Sequence, residues 1–334
     1  MNPVTPTRPS PLAPGWDPYG PISADLEEVE RILACSLKNP HTRVAEVVSH
    51  VHHYRGKRLR PMLLLLTARA CGRVTPAHHV LGAVVEMIHT ATLVHDDVLD
   101  GARMRRRMAT VNAVWGVQTS VLLGDYLFTH AFHLASTLDD ARVCRLIGEA
   151  TDRVCEGELC QVLQRGNLDL SEAEYFDIID GKTAELTACC CHLGALYSGA
   201  PAEVVQALSR YGRYIGLAFQ IADDLLDLVG EEKKTGKSLG TDLEQRKLTL
   251  PLIYLLTQSD KTLSTRVRQI LCGGDNHKRE ALRPFLIKGG GMEYAQRRAE
   301  ELSAKARAEL TSLPLSNCRS VLEVLTEHVV HRSA

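Results

Sequence analysis

Residues 84–100 read VVEMIHTATLVHDDVLD, a largely apolar run that ends in three aspartates. A second stretch of the same kind, residues 215–227, reads IGLAFQIADDLLD. Their apolar residues recur at three- and four-residue intervals, which predicts helices. Because both stretches are apolar almost all round, these helices are expected in a protein interior. The sequence therefore predicts two buried helices, each ending in a cluster of carboxylates.

The helical pattern extends over most of the chain. From about Ser23 onward the same periodicity continues, and alternating strand patterns are missing. Helix boundaries are predicted at Pro76, at a capping box from Ser171 to Glu174, and at Pro201. We expect an all-α fold, with one large helical bundle around a central cavity over residues 23–334. Seven of the 14 prolines fall in the first 21 residues, which predicts a disordered tail over residues 1–22.

Composition narrows the classes of function. Thirty-nine basic and 40 acidic residues give a formal net charge of −1, which provides no general attraction to nucleic acid or to an anionic membrane. An anionic ligand must therefore be held locally. The ten cysteines include no CxxC pair, and three of them are consecutive at positions 189–191. We therefore interpret them as small apolar side chains of a protein in a reducing compartment. We predict a cytoplasmic protein without a transmembrane segment.

The aspartates are spaced so that they can share a ligand. Asp96 with Asp100, and Asp223 with Asp227, lie four residues apart and so on one helix face. An isolated DDxxD motif is usually a solvent-exposed acidic face. Here both helices are predicted to be buried, and unpaired carboxylates in a protein interior cost several kcal/mol each. Shared divalent cations reconcile the two clusters. All-oxygen ligands indicate magnesium, whose remaining ligands would come from a substrate diphosphate.

Two other sequence patterns could indicate a different site, either a di-iron centre or a phosphate-binding loop. Glu86 and His89 form an ExxH pair, as in di-iron carboxylate bundles, but the second ExxH that such a site needs is absent. The glycines at 289–291 lack the following Lys-Ser/Thr of a phosphate-binding loop and predict a turn between helices.

Basic clusters at residues 56–61, GKRLRP, and 103–107 flank the first acidic helix. They suggest a second diphosphate, bound directly rather than through metal.

Together these motifs make the chain similar to a known enzyme family. The chain resembles the long-chain all-trans polyprenyl diphosphate synthases from about Val44 to Leu256. The match rests on the GKRLRP segment, on HDDVLD at 95–100 and on QIADDLLD at 220–227, in that order and separation. The family carries glycine where this chain has Arg55, Arg107 and Arg246, and an acidic residue in place of Gly101.

The resemblance implies a role for each matching residue. Isopentenyl diphosphate would be bound by Lys57, Arg60, His89 and Arg106. The allylic substrate would be bound by Arg105 and Lys247, and its leaving group would be oriented by Lys182, Thr183, Gln220 and Lys237. The magnesium ligands would be Asp96, Asp100 and Asp223, supported by Asp97, Asp224 and Asp227.

The implied activity is a magnesium-dependent condensation of an allylic diphosphate with successive isopentenyl diphosphates, in a homodimer, with quinone side chains as the implied use. A class I terpene cyclase and a non-catalytic partner subunit of a prenyl synthase remain alternatives.

The length of the product depends on the side chains along the path of the growing chain, which is expected to run from the first aspartates toward the start of the same helix. Positions four, five and eight before Asp96 hold Thr92, Ala91 and Ile88. Thr92 and Ala91 are too small to stop a growing chain, and each helical turn spans about one isoprene unit, so we expect products of roughly six to nine units.

Overall fold

The helical elements follow one another along nearly the whole chain. The structure is a computed structural model that describes residues 17–52, 54, 56–106, 108–230, 240–258, 260–273 and 278–331. The α-helices are α1 (Ser23–Ser36), α2 (Thr42–His52), α3 (Leu59–Ala70), α4 (Pro76–Leu99), α5 (Val111–Ser136), α6 (Ala141–Leu163), α7 (Glu172–Ile179), α8 (Glu185–Tyr197), α9 (Ala202–Val229), α10 (Thr241–Glu244), α11 (Leu250–Gln258), α12 (Lys261–Cys272), α13 (Lys278–Lys288), α14 (Gly291–Glu309) and α15 (Asn317–Val330). Short 3-10 helices cover Gly20–Ile22 and Leu310–Ser312, and a π-helix covers Asp180–Ala184.

Local chemistry explains where the helices begin. Ser171 and Glu174 form the predicted capping box: the Ser171 amide donates to Glu174 Oε2 at 2.8 Å, and the Glu174 amide donates to Ser171 Oγ at 3.2 Å. Thr75 caps α4, whose first residue is the predicted Pro76. The predicted glycine turn is also confirmed, since Gly290 has a left-handed backbone (φ 74°) between α13 and α14.

The two acidic helices, α4 and α9, lie inside the bundle as expected. α8 contacts both of them and also packs against α3. Residues 63–66 of α3 and Ile88 of α4 are fully buried in the main hydrophobic core. A smaller core cluster lies between α2, α4 and α5 and contains Ala91 and Leu127. The all-α prediction is confirmed.

Two details differ from or sharpen the sequence-based expectations. The disordered tail is predicted to extend to residue 22, but residues 17–22 pack on the bundle. Ile22 is 1% exposed, and the Tyr19 hydroxyl donates to the Lys57 carbonyl at 2.7 Å. The rest of that tail, residues 1–16, lies outside the described residues. A short hairpin, Met104–Arg105 with Met108–Ala109, interrupts the helices.

No helix in the described part of the chain is both long and apolar enough to cross a bilayer.

Candidate active site

The first acidic cluster stands at the C-terminal end of α4. Asp97 is 1% exposed, and its Oδ1 accepts a hydrogen bond from Arg105 Nε at 2.7 Å. Burial raises the pKa of the Asp97 carboxyl to about 6 despite that partner. Burial also raises the pKa of Asp96, which faces Asp100 and Glu158 as well as Lys182. Both shifts therefore arise first from burial, which disfavours the charged form of a carboxylate.

The second acidic cluster is built by α9 and the start of α10. Asp224 accepts hydrogen bonds from Tyr175 Oη and Gln220 Nε2, both at 2.7 Å, and burial raises its pKa to about 8. Asp227 accepts from Thr241 Oγ1 and from the Asp242 amide, each at 3.2 Å. Asp227 therefore ties the start of α10 to α9. Burial, together with Asp227, raises the pKa of Asp242 itself to about 6.

Two lysines link the clusters. Lys182 Nζ donates to Gln161 Oε1 at 2.8 Å and pairs with Glu158. Burial disfavours its charge, but Asp96 and Glu158 more than compensate and raise the pKa of Lys182. Lys247 Nζ lies 3.2 Å from Asp100 Oδ1 and 3.9 Å from Asp242 Oδ1, so it spans from α4 to α10. The carboxylates of both helices therefore face one space, with ammonium groups between them.

A pocket opens beside these lysines. Gln220 and Asp224 line it; Gln220 donates to Asp224 and accepts a hydrogen bond from Thr183 Oγ1, each at 2.7 Å. The other lining residues come from α6, α7, the π-helix, α10 and the loops next to them: Gln161, Gln164, Leu170, Tyr175, Ile178, Lys182, Asp242, Lys247, Leu248 and Thr249. A polar ligand in this pocket would meet both ammonium groups and Gln220.

A separate basic cluster surrounds α4 about two turns before Asp96, near Glu86 and His89. Arg58 pairs with Glu86 at 2.6 Å and also with Glu30. Arg60 is largely enclosed, and its Nε has no hydrogen-bond partner among the described residues. Burial and the surrounding positive charge lower the pKa of His89 well below its usual value; the nearby cations are Arg58, Arg60, Arg105 and Arg106. A neutral imidazole among four guanidinium groups suits an anionic ligand.

The hairpin after α4 carries two of these arginines. Arg105 turns toward Asp97, whereas the Arg106 guanidinium donates to the Tyr54 carbonyl. The Tyr54 hydroxyl accepts from the Val111 amide at 3.0 Å, which fixes the hairpin where it enters α5. Arg105 therefore pairs with the acidic cluster, and both arginines add positive charge near His89. Arg58 holds Glu86 Oε1, whereas Glu86 Oε2 is buried and has no hydrogen-bond partner among the described residues.

The donor set fits a hard divalent cation. The two clusters offer carboxylate oxygens, which are the ligands that a hard divalent cation prefers. Asp97 Oδ2 is buried and, within the described residues, has no partner. No group of three or more Asp, Glu, His or Cys side chains in the described ranges is placed to enclose a metal ion.

Sequence reasoning missed several residues of this site. The missed residues are Glu158, Gln161, Arg165, Tyr175, Asp242 and Gln245. Glu158 and Gln161 stand three residues apart on α6, and Arg165 lies just beyond the end of that helix, but only tertiary packing brings them to the site. Arg165 Nη2 lies 3.3 Å from Asp100 Oδ1, and Gln245 Nε2 donates to the Asp100 carbonyl at 3.2 Å. Lys237 falls outside the described residues, so its predicted role stays a prediction.

Comparison with known proteins gives consistent matches. The profile of the family described as "Polyprenyl synthetase" matches residues 41–286. The chain is 38% identical to the octaprenyl diphosphate synthase of Escherichia coli over 320 residues, covering 92% of this chain and 99% of that one. It is 35% identical to the geranyl-diphosphate-specific all-trans-nonaprenyl-diphosphate synthase of Rhodobacter capsulatus, over 95% of this chain and 97% of that one.

Solved structures agree. The decaprenyl diphosphate synthase of Rhodobacter capsulatus superposes with a TM-score of 0.89 at 36% identity, over 95% of this chain and 98% of that one. The Caulobacter crescentus polyprenyl synthase, solved with calcium and isoprenyl diphosphate, gives a TM-score of 0.90 at 33% identity, over 95% of this chain and 97% of that one.

Proposed function

The chain belongs to the polyprenyl synthetase family, and from that premise we propose that it condenses an allylic diphosphate with successive isopentenyl diphosphates to a long-chain all-trans polyprenyl diphosphate. One observation carries the proposal. The two acidic helix ends face one space across Lys182 and Lys247, while the neutral His89 and its arginines form a second anion site on the same helix. Two adjacent but different diphosphate sites are what a two-substrate condensation requires.

Asp96, Asp100 and Asp223 would hold magnesium, each supplying carboxylate oxygen. When bound, magnesium supplies Lewis-acid neutralisation of the charge on a departing diphosphate. The other three aspartates support these ligands through the contacts described above: Asp97 through Arg105, Asp224 through Tyr175 and Gln220, and Asp227 through the start of α10. The Caulobacter crescentus relative, solved with calcium, supports a divalent cation in this fold.

The pocket residues would serve the allylic substrate. Arg105, Lys182 and Lys247 bring positive charge to its diphosphate, and Lys237 is added by the resemblance alone. The Thr183–Gln220 pair presents oxygens that stabilise positive charge on the allylic carbons. The buried helices α4 and α9 exclude water, which protects that charge until the second substrate attacks.

The basic cluster would bind isopentenyl diphosphate through Lys57, Arg60, His89 and Arg106. Lys57→Ala and Arg60→Ala are therefore expected to raise the KM for isopentenyl diphosphate by about 10-fold or more, the loss of one charge-assisted phosphate contact. The KM for the allylic substrate should change by less than about 2-fold. Steady-state kinetics with each substrate varied separately measures both constants.

The matched control is Arg73→Ala, because Arg73 is exposed just beyond the other end of α3. Its two KM values should equal those of the wild type. Equal rises of both constants in the Lys57 and Arg60 variants would contradict two separate diphosphate sites.

The proposed reaction differs from its alternatives in what is consumed. We expect the purified chain, with magnesium, to consume both substrates and to release one diphosphate for each isopentenyl diphosphate used. A terpene cyclase would consume the allylic diphosphate alone, and a non-catalytic partner subunit would consume neither. Either of those outcomes would overturn the proposal.

Exposed apolar side chains support a homodimer. Val117 and Val121 form a stripe one turn apart on α5, the adjacent Leu122 is 68% exposed, and Val114 is exposed just before the non-helical Gly116 (φ 82°). Leu159 and Leu163, one turn apart on α6, are also exposed. Apolar surface of this extent typically marks a protein interface, and a second copy of the chain is the partner we propose. Ten unpaired thiols suit a reducing compartment, so we also propose a cytoplasmic location.

Leu122→Glu is expected to shift the dimer toward monomer, because it places a charge in the apolar interface. Analytical ultracentrifugation measures the change. Leu315→Glu is the control: Leu315 is 88% exposed but lies before α15, away from the stripe, and its variant should stay dimeric. A dimer that survives Leu122→Glu unchanged would exclude the α5 stripe as the interface.

A further inference from the structure

The residues that reach into the pocket from the π-helix sit on an unusual backbone. Between Asp180 and Ala184 the helix widens, and the Glu185 amide donates to the carbonyl of Asp180, five residues earlier. Such π-turns are rare and are concentrated at functional sites. Lys182 and Thr183 both belong to this turn, and their side chains point to α6 and to Gln220.

One arginine joins the two ends of the turn. On α9, Arg213 donates through Nη1 to Asp180 Oδ2 and through Nη2 to Glu185 Oε2. In a regular α-helix, residues five apart point about 140° away from each other around the axis. The wider turn brings them toward the same side, where the rigid fork of one guanidinium reaches both carboxylates. The Arg213 bridge therefore matches the π geometry better than the α geometry.

The turn is also enclosed by close helix contacts. Gly157 of α6 lies against the backbone of Gly181 and Lys182, and Gly216 of α9 lies against Ala184. A side chain at either glycine would collide with that backbone. These contacts hold the turn from two sides. Arg213 stands one turn of α9 before Gly216 and so acts where α9 meets the π-helix.

We propose that Arg213 is a positioning residue: by bridging Asp180 and Glu185 it holds the π-turn that directs Lys182 and Thr183 at the allylic diphosphate. The role of those two residues rests on the proposed function, whereas the bridge itself does not. The three side chains are each 20% to 37% exposed. Ion pairs this close to solvent add little to global stability, so the effect of the bridge is local.

The test replaces Arg213 with methionine, which keeps side-chain length without charge. We expect kcat to fall about 10-fold and the allylic KM to rise about 5-fold, because Lys182 and Thr183 lose their fixed orientation. The KM for isopentenyl diphosphate should stay within about 2-fold, and Tm within about 3 °C. Arg213→Lys should fall between wild type and Arg213→Met, because an ammonium group cannot fork to both carboxylates.

Two further variants separate the bridge from simple charge effects. Arg210→Met, one turn earlier on α9, removes a surface pair with Glu309 and should behave as wild type. The triple variant Asp180→Asn/Glu185→Gln/Arg213→Met removes all three charges and should reproduce the Arg213→Met kinetics. Wild-type kinetics in this triple variant would mean that unbalanced charge, not loss of the bridge, causes the defect, which would overturn the proposal.

Hydrogen–deuterium exchange without substrate tests the turn directly. The Glu185 amide, which closes the π-turn, should exchange about 10-fold faster in Arg213→Met than in wild type, because the turn opens locally. Unchanged exchange would overturn the inference, and so would equal rises of both KM values. Inactivity of the wild-type enzyme would instead refute the proposed function, while the exchange result would still decide on the bridge.

Discussion

Asp96→Ala and Asp223→Ala are each expected to lower turnover by at least about 10²–10³-fold while the helical fold stays intact. Each substitution deletes a carboxylate that we assign to magnesium at the departing diphosphate. Asp96 faces Lys182 as well as Asp100 and Glu158, so its removal takes away attraction along with repulsion and should leave the fold intact. Turnover at saturating substrate and far-ultraviolet circular dichroism measure the two effects.

The control for this pair is Asp169→Ala. Asp169 is an exposed carboxylate that pairs with Arg268 at the surface, between α6 and α7. Its variant should keep normal turnover and normal magnesium dependence. Near-normal turnover of both Asp96→Ala and Asp223→Ala would contradict the metal assignment.

Ala91→Phe is expected to shorten the product to three or four isoprene units while activity remains. Ala91 is fully buried between α2 and α5, and Thr92 lies half-buried on the same helix face as His89 and Asp96. A phenyl ring at position 91 would block a chain growing toward the start of α4. Mass analysis of the dephosphorylated products measures the length.

Two controls keep this result interpretable. Ala91→Ser preserves the small volume and should leave product length unchanged. Because a ring in a packed cluster can also destabilise the fold, Tm is measured on both variants. An active Ala91→Phe enzyme with products of normal length would refute the placement of the growing chain.

The fold and the aspartate-rich ends were predictable because their causes are local. Apolar periodicity around residues 84–94 and 215–222 specifies buried helices, and the spacing of Asp96 with Asp100 specifies a shared face. The Ser171 capping box and the turn at Gly290 follow from the chemistry of individual residues. Each of these features depends on residues within about three helical turns of one another, so one sequence suffices to find them.

Tertiary contacts decided the rest of the site. Glu158 is an ordinary acidic residue in sequence, and only the packing of α6 on the π-helix brings it to Lys182. Asp242 joins the second cluster because Asp227 fixes the start of α10. The π-turn has no pattern of its own, since it depends on two glycines of other helices and on Arg213. The small hairpin was missed because two-residue strands leave no alternation to detect.

The central claim is that this one chain extends an allylic diphosphate to a long-chain product, and mass analysis of that product tests it most directly. The purified protein is incubated with magnesium, an allylic primer and excess isopentenyl diphosphate, and the dephosphorylated products are measured. We expect a series of all-trans polyprenols, each one isoprene unit longer than the last, that ends at roughly six to nine units, since about one unit fits each helical turn of the product path. A cyclic hydrocarbon, or no extension of the primer, would contradict the account.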